Sequence, residues 1–352
     1  MKVYTAIGMM SGTSLDGVDI ALIETDGLYH VHPVDSFYYP YDEATKEAVR
    51  AVFNKRQRDT DVAMAEARVT EKYLEALGKA GFKADLIGMH GQTITHDPAQ
   101  KFTWQIGNAT LISKITQTPV IADFRKADVA AGGQGAPFLP LYHAARAHSD
   151  QIDGPVAILN IGGVSNVTYI DEEEILAFDC GPGNALMDDV IKTREGLSHD
   201  EGGAMAAQGF ANGSLVKQWL RLPYFQKKPP KSLDRNEFPL KEVERLNTKD
   251  ALATLAAFTV ESIAAARDHL PKEPKGWYVT GGGRHNKVLM QGLERSLGVI
   301  VKPVEALGWN GDALEAEGFA YLAVRSFLMM PLSLPSTTGV PKPLTGGQIF
   351  NP

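Results

Sequence analysis

Two kinds of hydrophobic period alternate along the chain. VYTAIGMM at residues 3–10 is a short apolar run, and SGTSLDG after it is rich in turn formers. In VDIALIETDG, Val18, Ile20 and Leu22 recur every second position, the spacing of a strand with one buried face. Residues 42–56 and 59–80 switch to helical spacing. In the second of these, Val62, Ala65, Val69, Tyr73 and Leu77 form one stripe, with Gly81 placed to end the helix. ADLIGMHGQT predicts a short buried strand running into a polar loop. A helix near 108–117 and a strand in TPVIADF follow, and GGQGAPFLP at 132–140 is a rigid Gly/Pro connector.

The second half starts in the same manner. PVAILNIGG predicts a strand, VSN a turn and VTYI a returning strand, with DEEE at 171–174 linking to ILAFDCG. This echo of the first segment reads as an internal duplication of a β-hairpin unit. Helices are expected at 184–194, 203–221, 248–270, 285–297 and 312–329, with a strand in GWYVTGGG and an extended Pro/Gly-rich tail at the end. Helices alternating with strands through two similar halves predict an α/β protein of two lobes with a cleft between them. The expected division is residues 1–140, onto which the 331–352 tail packs back, and residues 141–330.

Composition narrows the function classes. The 352 residues are 44% hydrophobic and 22% charged, which excludes global disorder. A net charge of −7 and a pI of about 5.8 argue against nucleic acid or another polyanion as partner. With one cysteine, Cys180, neither an intrachain disulfide nor a thiolate zinc site is available, and a reducing cytoplasm is the expected setting. MKVYTAIGMM is too short for a signal peptide, and no apolar run approaches the roughly 20 residues of a membrane span.

Glycine carries the candidate chemistry. In GMMSGTSLDGVD, free backbone N–H groups of a Gly/Ser/Thr loop can cradle phosphate oxygens, although a polar hairpin turn is the plain alternative. It is not a Walker A loop, because a strand follows it and the GK[ST] ending is missing. LNIGGVSN supplies a second such hairpin through Gly162 and Gly163, and two of them can grip a polyphosphate from both sides. Gly281, Gly282 and Gly283 in TGGGRHN form a third turn. A flat ring can lie against its backbone at a helix N-terminus, so it is the expected adenosine side. In FDCGPGNALMDD, Asp179 ends an apolar strand beside a Gly-Pro-Gly turn, a place for a general base or for a carboxylate that only ties its own turn. Asp188 and Asp189 belong on the following helix. The 121–143 segment gathers Asp123, Arg125, Asp128, Gln134 and His143 around rigid turns. Arg125 suits an anionic or hydroxyl-rich substrate, or a structural ion pair. His90 and Gln92 in MHGQT offer neutral groups suited to a sugar. The spacing of His90 and His96 does not make a zinc site, and Ser11, Ser14 and Ser165 lack a nucleophile elbow.

These segments resemble the anhydro-N-acetylmuramic acid kinase family. The matching pieces are GMMSGTSLDGVD, GMHGQTITHDP, WQIGNATLIS, ADFRKADVAAGGQGAPFLP, LNIGGVSN, FDCGPGNALMD, VTGGGRHN and EALGWNGDALEAEGFAYLA, running from residue 8 to about 323. The resemblance implies a two-lobed actin-like ATPase (ribonuclease-H-like) fold with a nucleotide cleft between the lobes. It also implies a bacterial cytoplasmic homodimer of cell-wall recycling that uses ATP, Mg²⁺ and water on 1,6-anhydro-N-acetylmuramic acid. By position, Gly12, Thr13, Ser14, Leu15, Asp16, Gly17, Val18 and Asp19 match the ATP phosphate loop, and Asp179 matches the catalytic base. Glu315 matches an acidic residue facing the sugar, with Glu317 the other candidate. Cys180 stands where relatives commonly have threonine. Within the same superfamily, an ordinary hexose or amino-sugar kinase and a chaperone-like nucleotide switch are the competing functions.

Overall fold

The computed structural model describes residues 2–233, 238 and 241–352. Its strands are β1 (Tyr4–Ser11), β2 (Gly17–Thr25), β3 (Val31–Pro40), β4 (Leu86–Asp97), β5 (Phe102–Ile106), β6 (Val120–Ala122), β7 (Val156–Ile161), β8 (Val164–Asp171), β9 (Glu174–Pro182), β10 (Gly276–Thr280), β11 (Ile300–Pro303) and β12 (Gln348–Phe350). Its helices are α1 (Glu43–Arg50), α2 (Thr60–Ala80), α3 (Ala109–Thr116), α4 (Lys126–Ala130), α5 (Pro140–Ser149), α6 (Ala185–Glu195), α7 (Gly213–Trp219), α8 (Pro223–Gln226), α9 (Thr248–Ala266), α10 (Lys287–Leu297), α11 (Leu314–Phe327) and α12 (Pro335–Thr338), with short 3₁₀ turns between some of them.

The chain forms two compact units, Met1–Ile152 with Ala313–Pro352, and Asp153–Asp312. In the first, β1, β2 and β3 make an antiparallel meander, and β4 and then β6 add in parallel beside β1. In the second, β7, β8 and β9 make the meander, and β10 and then β11 add in parallel beside β7. With β5 and β12 set aside and the remaining strands numbered within each unit, both sheets run 3-2-1-4-5. That shared order is the ribonuclease-H-like topology, and its duplication is the actin-like ATPase fold. The first sheet gains β5, antiparallel to β4, and β12, antiparallel to β6.

The expected amphipathic helix is α2. Its stripe of Val62, Ala65, Val69, Tyr73 and Leu77 is buried in the first unit's core. Val62, Val69 and Leu77 each contribute about 1.5–3 kcal/mol by leaving water. Asp59 caps the start by accepting the Val62 N–H, and Gly81 at φ +67° closes the end. The second core gathers Leu159, Val167, Phe178, Cys180, Phe258, Trp277 and Leu293 around α9.

Several elements differ from expectation. The division falls at Ile152/Asp153 and again at Ala313, so α5 and α11 belong to the first unit and not to the second. The expected helix at 203–221 is α7 alone. Gly202 and Gly203 take positive φ, Gly209 is extended where a Cβ would lie 2.1 Å from the Lys249 carbonyl oxygen, and Asn212 caps a new start. MHGQT is not a strand leading into a loop but the middle of β4, and WQI belongs to β5. The tail is not wholly extended: it carries the turn of α12 before pairing β12 with β6.

Candidate active site

The first Gly loop joins β1 to β2 and is held from below. The Gly12 carbonyl accepts the Leu15 N–H at 3.2 Å and the Gln92 side-chain N–H at 3.1 Å. The Asp16 carbonyl accepts the Tyr41 N–H and the Tyr38 hydroxyl, each at 2.9 Å. Leu15, a non-glycine residue at φ +63°, plugs its side chain into the core and fixes the loop's path. Thr13, Ser14 and Asp16 face solvent. The side chains of Leu15 and Val18 are buried, so only their backbone can serve a ligand. Gly17 is explained by packing, since a Cβ there would lie 2.3 Å from the Tyr39 carbonyl oxygen. Asp19 is half-buried on β2, opposite Met10.

The second loop and the Asp179 strand are braced together. Gly162 and Gly163 turn β7 into β8. Their carbonyls accept the N–H groups of Asn184 at 2.7 Å and Gly183 at 3.0 Å, and the Asn184 side chain donates to Ile161. Asp179 does not end its strand. β9 continues to Pro182, and Asp179 sits at an irregularity in the β8 pairing, opposite Asn166. That irregularity re-aims a side chain within an otherwise regular ladder. The Asp179 carboxylate is 5% exposed and accepts the Leu233 N–H at 2.7 Å, its N–H donates to the Lys231 carbonyl at 3.0 Å, and its carbonyl accepts the Tyr224 hydroxyl at 2.6 Å. The Lys231 ammonium lies over the Tyr224 ring, and burial pulls its pKa down. Cys180 packs into the core, where burial pushes its thiol well up, so it acts as an apolar filler. No feature of the sequence pointed to Tyr224 or Leu233, because these contacts come from α8 and the chain after it, some 45 to 54 residues away.

The third turn divides by residue. Gly281 at φ +74° would place a Cβ 2.3 Å from Asn160 Oδ1, and Gly283 would place one 2.3 Å from Ile161 Cγ2, so the fold itself demands both. A helix N-terminus is not at these glycines, because a 3₁₀ turn over Gly282–His285 precedes α10. Arg284 braces the turn, donating to Gly281 O at 3.0 Å, Glu305 at 2.9 Å and Asp312 at 2.7 Å.

Gly12, Gly162, Gly163 and Gly282 stand apart. None has a positive φ, and a Cβ on any of them would meet nothing closer than 3.5 Å. Packing and backbone conformation therefore do not explain these four glycines, as they do not explain Gly78 or Gly213.

In the first unit, Arg125 donates through Nε to His90 Nε2 at 2.9 Å and through Nη1 to the Gly135 carbonyl at 2.5 Å, with Phe138 and Phe319 beside its guanidinium. His90 is 4% exposed, and burial and then the Arg125 charge hold it neutral. Gln92 is fully buried and spends its amide on Gly12. His90 thus supports Arg125, and Gln92 supports the Gly12 loop. His143 is buried, which takes its pKa down to about 3. Glu315 and Glu317 separate cleanly. Glu317 is 3% exposed, bonded to the Tyr142 hydroxyl and paired with Arg146 at 3.3 Å. Glu315 has an exposed side chain within a dense surround that pushes its pKa up, Arg125 opposing. Among the described residues, no three His, Cys, Asp or Glu side chains gather to hold a metal ion. None of the described helices is long and apolar enough to cross a membrane.

A duplicated ribonuclease-H-like topology, with a glycine hairpin after the first strand of each half and a carboxylate on the third strand of the second, defines the actin-like ATPase and sugar-kinase class. Within it, the sequence profile of the anhydro-N-acetylmuramic acid kinase family matches residues 4–352, and the chain belongs to that family. An anhydro-N-acetylmuramic acid kinase of Rhizorhabdus wittichii is 46% identical, covering 100% of each chain. One of Rhodospirillum rubrum is 47% identical over 97% of this chain and 93% of its own. Among solved structures, a ROK family glucokinase from Streptomyces griseus in complex with glucose and AMPPNP is similar at TM-score 0.44 and 13% identity, over 91% of this chain and 99% of that one.

Proposed function

We propose that the chain is an ATP-dependent kinase that opens the 1,6-anhydro ring of 1,6-anhydro-N-acetylmuramic acid and phosphorylates O6, giving N-acetylmuramic acid 6-phosphate and ADP. The full-length family match over residues 4–352 carries this reading. The groups assigned to it are Asp179 as base, the backbone at Gly12, Gly162 and Gly163 for the phosphates, Gly282 on the adenosine side, and Arg125 and Glu315 for the sugar. Asp179 takes a proton from a water whose oxygen bonds to C1. The C1–O6 bond breaks, and its electron pair stays on O6. O6 bonds to the γ-phosphorus, and the β–γ bridging oxygen leaves with ADP. Water, anhydrosugar and ATP thus become sugar phosphate, ADP and one proton. The phosphoryl group replaces the general acid that an alkoxide leaving group otherwise needs.

Magnesium belongs to this proposal as the companion of the ATP phosphates. That ion keeps several waters and takes only one or two carboxylates, so it needs no acidic cage of the kind not found among the described residues. The same reading makes the protein a cytoplasmic homodimer acting on sugar released from the cell wall, to be checked by light scattering and fractionation.

The test is a brief reaction in ¹⁸O-water. The label should sit on the anomeric hydroxyl, with the oxygen linking C6 to phosphorus derived from substrate. Label in the phosphate means that water attacked ATP, and it overturns the coupled mechanism. Turnover of open amino sugars in preference to the anhydrosugar would instead make this an ordinary kinase of the class.

A further inference from the structure

The first glycine hairpin starts from a residue that is itself fixed in the core. Ser11 is the last residue of β1, and its hydroxyl meets the Tyr73 hydroxyl of α2 at 2.6 Å. Both side chains are buried. So is Tyr41, whose hydroxyl lies beside this pair and makes no regular hydrogen bond. Met9, Leu15, Val18 and Val69 belong to the same core. Three hydroxyls gathered in such a place carry a desolvation cost that alanine and phenylalanine of the same outline would avoid. Packing alone therefore gives no reason for them.

The far end of the hairpin is held by the same neighbours. The Asp16 carbonyl accepts the Tyr41 N–H and the Tyr38 hydroxyl, each at 2.9 Å. Gly17, the next residue, lies so close to this run that a Cβ on it would be 2.9 Å from Pro40 Cα. The run from Tyr38 to Asp42 is fastened in turn to α2: the Tyr39 hydroxyl donates to Glu75 at 2.8 Å, and Lys72 pairs with Asp42 at 3.0 Å. α2 is 21 residues long and is closed at both ends by Asp59 and Gly81. One capped helix thus fixes both ends of the loop, its start through Ser11 and Tyr73 and its exit through Tyr41 and its neighbours. Backbone N–H groups in a loop anchored in this way are pre-organised, so less freedom is lost when an anion binds.

We propose that Ser11, Tyr41 and Tyr73 are positioning residues for the ATP phosphates. Their hydroxyls set where the hairpin backbone leaves β1 relative to α2, and so hold its N–H groups in place for phosphate oxygens. This rests on the assignment of the Gly12 hairpin to the phosphates.

The test compares Ser11→Ala, Tyr73→Phe, Tyr41→Phe and the double variant Ser11→Ala/Tyr73→Phe with Gly12→Ala. Steady-state constants for ATP and anhydrosugar are measured on the full-length protein, together with the melting point. Ser11→Ala and Tyr73→Phe should each raise the KM for ATP about three- to ten-fold, the worth of one hydrogen bond, with the KM for anhydrosugar unmoved. The double variant removes both partners at once. It should melt close to wild type while its KM for ATP stays raised. Tyr41→Phe, which removes a hydroxyl without a regular partner, should melt no lower than wild type and raise the same constant. If the KM for ATP recovers in the double variant along with the melting point, the hydroxyls serve only the fold and the proposal fails. Equal rises in both KM values also overturn it. If Gly12→Ala raises the KM for ATP while the folded hydroxyl variants do not, the positioning role is wrong and the hairpin assignment stands. If neither Gly12→Ala nor the hydroxyl variants raise it, both fail.

Discussion

At the scale of single residues, a carboxylate works from the position its neighbours give it. Asp179 accepts the Leu233 N–H, and its backbone is anchored by Lys231 and Tyr224. Asp179→Asn keeps an oxygen for the Leu233 N–H and removes the base. Turnover should fall about 10²- to 10⁴-fold with ATP affinity nearly unchanged, as read by kcat and by nucleotide titration. Near wild-type kcat would return Asp179 to a structural role. The two glutamates of α11 make opposite predictions. Removing Glu317 takes the buried acceptor from Tyr142 and leaves Arg146 with Asp150, and Glu317→Ala should lower stability by about 1–3 kcal/mol in urea unfolding. Glu315 has its pKa raised in the folded state by the dense surround, with Arg125 opposing. The stability of the acid form is therefore present below the ordinary carboxylate range and is lost as pH rises through the raised value. Glu315→Gln should melt no lower than wild type at neutral pH. Any advantage should disappear in acid, while the KM for anhydrosugar rises. A melting point lowered at neutral pH would mean that the charge of Glu315 supports the fold.

At the scale of elements, the glycines show what a hairpin is for. Gly8 and Gly183 are spoken for by packing: a Cβ on Gly8 would lie 1.8 Å from the Ala316 carbonyl oxygen, and one on Gly183 would lie 2.2 Å from the Gly162 carbonyl oxygen. Gly12 and Gly162 have room for a methyl group and ordinary φ. Gly12→Ala and Gly162→Ala should therefore fold and raise the KM for ATP more than that for sugar. Gly8→Ala and Gly183→Ala should lose soluble, cooperatively melting protein. An unchanged ATP constant in both loop variants would leave the phosphate-loop assignment without support. This distinction was not legible in the sequence, where all the Gly clusters look alike, because it depends on which backbone lies opposite each one. The α2 stripe, the Gly81 cap and both hairpins were legible, since each follows from spacing or turn chemistry within one segment. The strand through MHGQT was misjudged for the converse reason. His90 and Gln92 look like loop polar residues, yet inside the fold His90 accepts from Arg125 and Gln92 donates to the Gly12 carbonyl.

At the scale of the whole molecule, the chain leaves its first unit at Ile152 and returns at Ala313. Local pattern identifies α11 as a helix but cannot say where it docks, which is why sequence spacing places it with the second half. Its destination is decided by close approach. Gly8 on β1 and Gly88 on β4 let the α11 backbone lie directly on the sheet, where a Cβ on Gly88 would be 2.2 Å from the Phe319 carbonyl oxygen. Arg325 of α11 further donates to the Gly27 carbonyl at 2.9 Å, and Tyr321 donates to the Leu28 carbonyl at 3.0 Å. The first unit thus cannot complete its core from 1–152 alone, whereas 153–312 is continuous and contains its whole sheet and core. A fragment of 153–312 should fold by itself, with a single cooperative urea transition and dispersed amide resonances. A fragment of 1–152 should be expanded or aggregated, and a chain in which 313–352 is joined to 1–152 by a flexible linker should regain cooperative melting. Cooperative folding of 1–152 without α11 would show that the helix only caps a finished core. Failure of the linked version would show that the first unit needs the second to fold.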